Sequence, residues 1–147
     1  MIIQTNFETI LTIWQNRLWP NRTSKIETNS AMLLDRTYNM DNFKYATTYH
    51  AFLIKDKIVG CNSGHMCADN SYRSRGLYVF EEYRGQGIGV ELLLATIEQA
   101  REENADIVWS YPRDSSWNTY KKAGFELSSP WENSELGINA YCKLQLR

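Results

Sequence analysis

The 147-residue chain carries no surplus of positive charge, no long apolar run and too few cysteines to staple itself. Its 16 Lys and Arg stand against 17 Asp and Glu, a formal net charge of -1. That balance supplies none of the basic field that nucleic acid or an anionic membrane draws on, so neither is expected as a partner. No stretch approaches the ~20 apolar residues that span a bilayer. The first residues, Met-Ile-Ile-Gln-Thr-Asn, lack the cationic segment and apolar core of an export signal, and a cytoplasmic protein is expected. Three cysteines cannot all pair within one chain, which suits a reducing compartment. Cys61, Ser63, His65 and Cys67 alternate as if on one strand face, but at ~3.3 Å per residue Cys61 and Cys67 lie about 20 Å apart. That is too far to share one ion, and no metal is expected.

What is present fits one α/β domain over residues 1–147, large enough to bury about two-thirds of its unfolded surface. Phe7, Ile10, Leu11, Trp14 and Leu18 recur at helical spacing and Pro20 stops the run. Ile26, Met32, Leu33 and Leu34 suggest a second, shorter helix. His50 to Ile54 and Ile58 to Met66 read as a hairpin turned at Lys55-Asp56-Lys57, and Arg75 to Phe80 as the next strand. Leu92, Leu93, Ala95, Ile97 and Ala100 give a long helix its apolar face, and Asp106 to Tyr111 is a short strand closed by Pro112. A helix through Trp117, Tyr120 and Ala123 follows, with Ser115 or Ser116 as its cap and Gly124 at the left-handed position after it. Phe125 to Leu127 begins another strand, and the alternation from Leu136 to Leu146 is the clearest strand signal in the chain. The expected fold is therefore a mixed, largely antiparallel sheet flanked by helices.

One stretch organises the rest. Leu77-Tyr-Val-Phe-Glu-Glu-Tyr-Arg-Gly-Gln-Gly-Ile-Gly89 runs from strand formers through a basic, glycine-rich turn into a helix. Glycines let backbone approach a ligand closely, a helix start offers free N–H groups and the positive end of its dipole, and Arg84 adds a cation. This is an anion-holding turn. Val90-Glu91 excludes a P-loop, which needs Lys and Ser or Thr there, and Val90 replaces the third glycine of a dinucleotide fingerprint.

The spacing Arg84-x-x-Gly87-x-Gly89 resembles the acyl-CoA signature of the GNAT superfamily of N-acetyltransferases. Leu77-Tyr-Val79 before it and Tyr120-Lys-Lys-Ala-Gly124-Phe125 after it match the same superfamily. The resemblance covers residues 50 to 130 and implies transfer of an acetyl group from acetyl-CoA, as cosubstrate, directly to a primary amine. The acceptor would be a small-molecule amine or a peptide. By the same resemblance, backbone N–H groups near Tyr78 and Val79 would hold the acetyl carbonyl and pantetheine. The amides of Gly85, Gln86, Gly87, Ile88 and Gly89, with Arg84, would hold the pyrophosphate.

The chemistry also needs an acid for the departing thiolate, and the Tyr120 phenol, protonated at neutral pH, suits that role. A base is harder to assign, because Arg73 to Phe80 contains no carboxylate where many relatives carry one. Glu81, acting through water, and His65 are the candidates. Arg73 and Arg75 share a strand face and have two readings, contact with an acidic group on the acceptor or pairing with surface carboxylates. Arg113 stands where relatives often carry Asn, seven residues before the tyrosine. The missing base and Arg113 also suit an alternative, an acyl-CoA-binding or regulatory module without catalysis.

Overall fold

The computed structural model describes residues 1–147. Its main sheet has seven strands in the order β1-β2-β3-β4-β5-β9-β6, where β1 is Ile2–Thr5, β2 Thr47–Ile54, β3 Lys57–Met66, β4 Ser71–Val79, β5 Ile107–Ser110, β6 Glu126–Leu127 and β9 Cys142–Gln145. Every pairing is antiparallel except β4 with β5. A separate hairpin pairs β7, Glu132–Ser134, with β8, Gly137–Asn139. This is the mixed sheet flanked by helices that the sequence led us to expect. No helix is long and apolar enough to cross a membrane.

Two helical layers cover the sheet. Helix α2, Ile88–Glu102, lays Leu92, Leu93, Ile97 and Ala100 against one face, where Tyr72, Val108, Phe125 and Cys142 complete the core. Helix α1, Phe7–Ile13, starts at Asn6, whose Oδ1 accepts from the Thr9 amide at 3.0 Å, and continues as a π-helical turn over Trp14–Leu18. It places Ile10, Ile13 and Trp14 on the opposite face with Tyr49 and Cys61. The short helix α3, Trp117–Lys122, ends at Gly124 with φ 106, the left-handed residue expected there.

Three local expectations are corrected, and one element was not expected. Residues 26–34 form no helix: Leu33 is drawn into a cluster with Cys67, Trp109 and Tyr141, and the Asn29 and Asn42 amides bond backbone carbonyls across the segment. The long alternation from Leu136 divides into β8 and β9, because Asn139 Nδ2 donates to the Tyr111 carbonyl at 2.9 Å and the chain turns there to reach β5. The start of α3 has no side-chain cap from Ser116. Strand β1, which carries no alternating signal, forms the edge beside β2.

The bend in β4 sets the site. Two residues, Gly76 and Leu77, oppose the single Asn62 of β3, since the pairing shifts between Cys61↔Tyr78 and Ser63↔Arg75. Such a bulge moves every later side chain to the other face. Arg73 and Arg75 consequently share the α1 face with Tyr78 and Phe80, while Tyr72, Leu77 and Val79 meet α2. Gly76 is required on two counts. Its φ is +82, and a Cβ would lie 2.4 Å from the Trp14 ring, whose Nε1–H donates to the Gly76 carbonyl at 2.9 Å.

Candidate functional site

Strands β4 and β5 pair only at Ser71↔Ile107, Tyr72↔Val108 and Arg73↔Trp109, then part. The backbone groups that β4 turns toward β5 beyond Arg73 have no strand partner, and a fork opens between the two strands. Ser110 Oγ bridges its base, donating to the Ser74 carbonyl at 2.7 Å.

On one side of the fork lies a cavity of about 450 Å³ bordered by Leu77, Tyr78 and Val79 of β4, by the glycine turn and by α3. Gly85 and Gly87 both have φ +81 and nothing within 4 Å of where a Cβ would stand. The space above them is open. Gly87 begins α2 without a side-chain cap, so the first amides of a four-turn helix face that space with no helical acceptor. Gly89 does something different: a Cβ there would meet Thr119 Cγ2 at 2.9 Å, and its smallness lets α2 approach α3. Arg84 folds back, its Nε donating to the Val79 carbonyl at 2.8 Å and its guanidinium lying 5.3 Å from the Tyr78 ring. Arg17, Arg84, Arg113 and Lys122 border the cavity and no carboxylate does. An uncapped helix start, an open glycine cradle and four cations fit a polyanionic cosubstrate such as acetyl-CoA.

On the other side a larger cavity of about 590 Å³ reaches from Arg73 and Arg75 to the hairpin β7–β8. The two cavities share Leu18, Leu77, Arg113 and Ser116, so they adjoin at the fork. Tyr120 borders the larger one. It is 3% exposed and packs edge-on against Phe125, with ring centroids 5.5 Å apart. Burial raises its pKa well above the ordinary phenol value, opposed in part by the neighbouring Ser110 hydroxyl and by the Arg73 charge. The phenol is therefore a proton donor throughout the neutral range.

The structure thus brings Tyr78, Val79, Arg84, Gly85, Gly87, Ile88 and Gly89 together around one cavity, and Arg73, Arg75 and Tyr120 around its neighbour. Gln86 lies in the same turn with an exposed side chain that borders neither cavity, and the expectation there concerns its backbone amide. His65 is fully buried and also borders neither; its Nδ1 lies 2.9 Å from the Met66 carbonyl, and burial lowers its pKa to about 3. A ring enclosed in this way has no path to an acceptor amine. Glu81 is exposed on the 3-10 turn Glu81–Tyr83, outside both cavities. The reading of Arg73 and Arg75 as partners of surface carboxylates is corrected as well, since both are buried and neither forms an ion pair.

Three carboxylates of the larger cavity, Glu27, Glu132 and Glu135, come from irregular or hairpin segments that periodicity does not reveal. Gly76 was legible only as a glycine inside a strand, the usual mark of a bulge. Arg17 and Leu18 reach the smaller cavity because the π turn winds them toward the fork.

Residues 11–125 match the family model described as the acetyltransferase (GNAT) family. No protein with a curated description matches in sequence. Among solved structures, an acetyltransferase of the GNAT family from Staphylococcus aureus is 22% identical, with a TM-score of 0.68 over 100% of this chain and 99% of its own. A ribosomal-protein-alanine N-acetyltransferase from Brucella melitensis is 16% identical, with a TM-score of 0.69 over 99% of each chain. A PaiA N-acetyltransferase from Thermoplasma acidophilum, solved with coenzyme A, is 19% identical with a TM-score of 0.56 over 67% of this chain and 60% of its own.

Proposed function

The chain belongs to the acetyltransferase (GNAT) family, and from that premise we propose that it moves the acetyl group of acetyl-CoA directly to a primary amine. The observation that carries the reading is the adjacency of the two cavities at the β4–β5 fork, one cationic and glycine-lined, the other bordered by Tyr120. Acetyl-CoA supplies an activated acetyl thioester. The amides at the start of α2, with Arg84, hold its phosphates, and the free edge of β4 near Tyr78 and Val79 aligns its pantetheine and acetyl carbonyl.

The acceptor nitrogen, entering neutral, bonds to the acetyl carbon as the carbon–sulfur bond breaks. Tyr120 gives its proton to the departing sulfur, and the proton lost from nitrogen restores the phenol through solvent. A raised phenol pKa keeps Tyr120 protonated until sulfur charge develops, and Arg73 steadies the transient phenolate. Glu81 and His65 border neither cavity, and the acceptor sheds its proton to water in the larger one.

The purified protein should be stabilised by CoA in a thermal-shift measurement and should release thiol from acetyl-CoA with an amine panel. No stabilisation and no release would sink the reading. The absence of a carboxylate from Arg73 to Phe80 and from the smaller cavity favours one second reading, a CoA-binding module without catalysis, and CoA stabilisation with no thiol release over the panel would select it.

A further inference from the structure

The larger cavity has a cationic floor whose two arginines form no ion pair. Arg73 is 8% exposed and Arg75 4% exposed, and both border it. Neither reaches a carboxylate. Arg73 donates from Nη1 to Ser30 Oγ at 2.7 Å, its guanidinium lies 4.9 Å from the Trp109 ring, and its buried Nε has no hydrogen-bond partner. Arg75 donates from Nη1 to the Glu27 carbonyl at 3.0 Å and stands over the Trp14 and Trp19 rings at 5.1 and 5.3 Å. Each guanidinium has five N–H donors, and these contacts use a minority of them.

Two buried like charges without an anion are costly, and proteins ordinarily pair them. Burial and mutual repulsion, with Arg22 adding to it, push the pKa of Arg75 below its usual range. The carboxylates of the same cavity are engaged elsewhere. Glu132 pairs with Arg36 at 3.1 Å and accepts from the Tyr111 hydroxyl at 2.9 Å, Glu135 accepts from Ser24 at 3.2 Å, and Glu27 faces Lys25 at 3.8 Å. A simple amine, cationic in water, meets repulsion from this floor. An amine that carries its own anion does not.

Resting on the acetyl-transfer reading, we propose that the acceptor is a small primary amine bearing a carboxylate, an amino acid rather than a polyamine or an unsubstituted alkylamine, and that Arg73 and Arg75 receive the carboxylate. The planar guanidinium fork matches a carboxylate through paired N–H donors. Tyr120 borders the same cavity as both arginines, so one small molecule there can meet all three. A volume of about 590 Å³ admits an amino acid with its side chain directed toward the hairpin β7–β8.

The test pairs each free amino acid of a panel with its own carboxamide, in the thiol-release assay and, separately, in titrations that follow tryptophan emission without acetyl-CoA. The acid should exceed its carboxamide in kcat/KM and in affinity on the order of 10- to 100-fold, the range of charge-assisted hydrogen bonds. Arg75→Met should erase that preference mainly through KM, Arg73→Met should erase it while also lowering kcat because the Tyr120 phenolate loses its nearby charge, and Arg75→Lys should restore part of it. CoA binding by each variant certifies that it folds. Acetylation of carboxamides or plain amines as efficiently as acids overturns the carboxylate site while leaving acetyl transfer intact. Arginine-dependent binding of acids with no thiol release keeps the site and overturns transfer. If acids neither bind nor are preferred by the wild-type protein, the proposal is wrong.

Discussion

Gly76 and Gly87 share nearly the same φ, +82 and +81, yet they differ in what surrounds them. Replacing each by alanine therefore separates conformational strain from steric contact. A left-handed alanine costs about 1–2 kcal/mol at either place. At Gly76 the new methyl also lies 2.4 Å from the Trp14 ring. Overpacking of that kind adds about 1–3 kcal/mol. Displacing the ring breaks the Trp14 Nε1–H bond to the Gly76 carbonyl, a further loss of about 1 kcal/mol. Gly76→Ala should thus lose about 3–6 kcal/mol, a large part of a typical domain's 5–15 kcal/mol, and Gly87→Ala only the first of these contributions. Urea unfolding followed by tryptophan fluorescence gives both values. Calorimetry with CoA should then show the reverse ranking for ligand, with Gly87→Ala weakening CoA by tenfold or more because its methyl enters the open cradle. Equal losses of stability would refute the Trp14 contact as the element that fixes the bulge, and unchanged CoA affinity in Gly87→Ala would refute the placing of phosphate over the turn.

Tyr120→Phe keeps the edge-on packing with Phe125 and should lower kcat by about 10²- to 10⁴-fold while CoA affinity stays within twofold; a kcat within threefold of wild type would remove the acid role. Arg84→Ala should raise the CoA dissociation constant on the order of tenfold, the effect of losing a charged phosphate contact, and should flatten its salt dependence, both read by calorimetry. His65 has a folded pKa of about 3 against an ordinary value of 6.5. Between those values the unfolded chain binds a proton that the folded chain refuses, so stability is full above the unfolded pKa and falls as pH drops from 6.5 toward 3. His65→Asn should reduce the slope of unfolding free energy against pH in that window by up to about 1.4 kcal/mol per unit, and an unaltered slope would contradict the buried neutral ring.

Elements whose signal is local were readable in the sequence. The β2–β3 hairpin turns through Lys55 and Asp56, both left-handed, and α2 follows its apolar stripe. Gly124 closes α3 as a glycine after a short helix should. What escaped reading depends on partners distant in sequence. Strand β1 exists because β2 offers it an edge, and Leu33 packs where Trp109 and Tyr141 await it rather than along a helix of its own. Half of the site followed the same division. The glycine turn announces itself through spacing, whereas the larger cavity gathers Glu27, Arg73, Tyr120 and Glu135 from segments with no shared pattern. That Arg73 and Arg75 are buried without an ion pair is a property of packing alone, and nothing in the order of residues records it.

The bulge at Gly76 is a phase shift of one residue within a single strand. Upstream of it, odd-numbered residues such as Arg73 and Arg75 face the α1 side; downstream, even-numbered residues such as Tyr78 and Phe80 do. The two halves of β4 are thereby decoupled in register while remaining one covalent rod. Substitutions upstream can retune the larger cavity without rotating the downstream half that borders the glycine-lined one, and a deletion at Gly76 would remove that independence in one step.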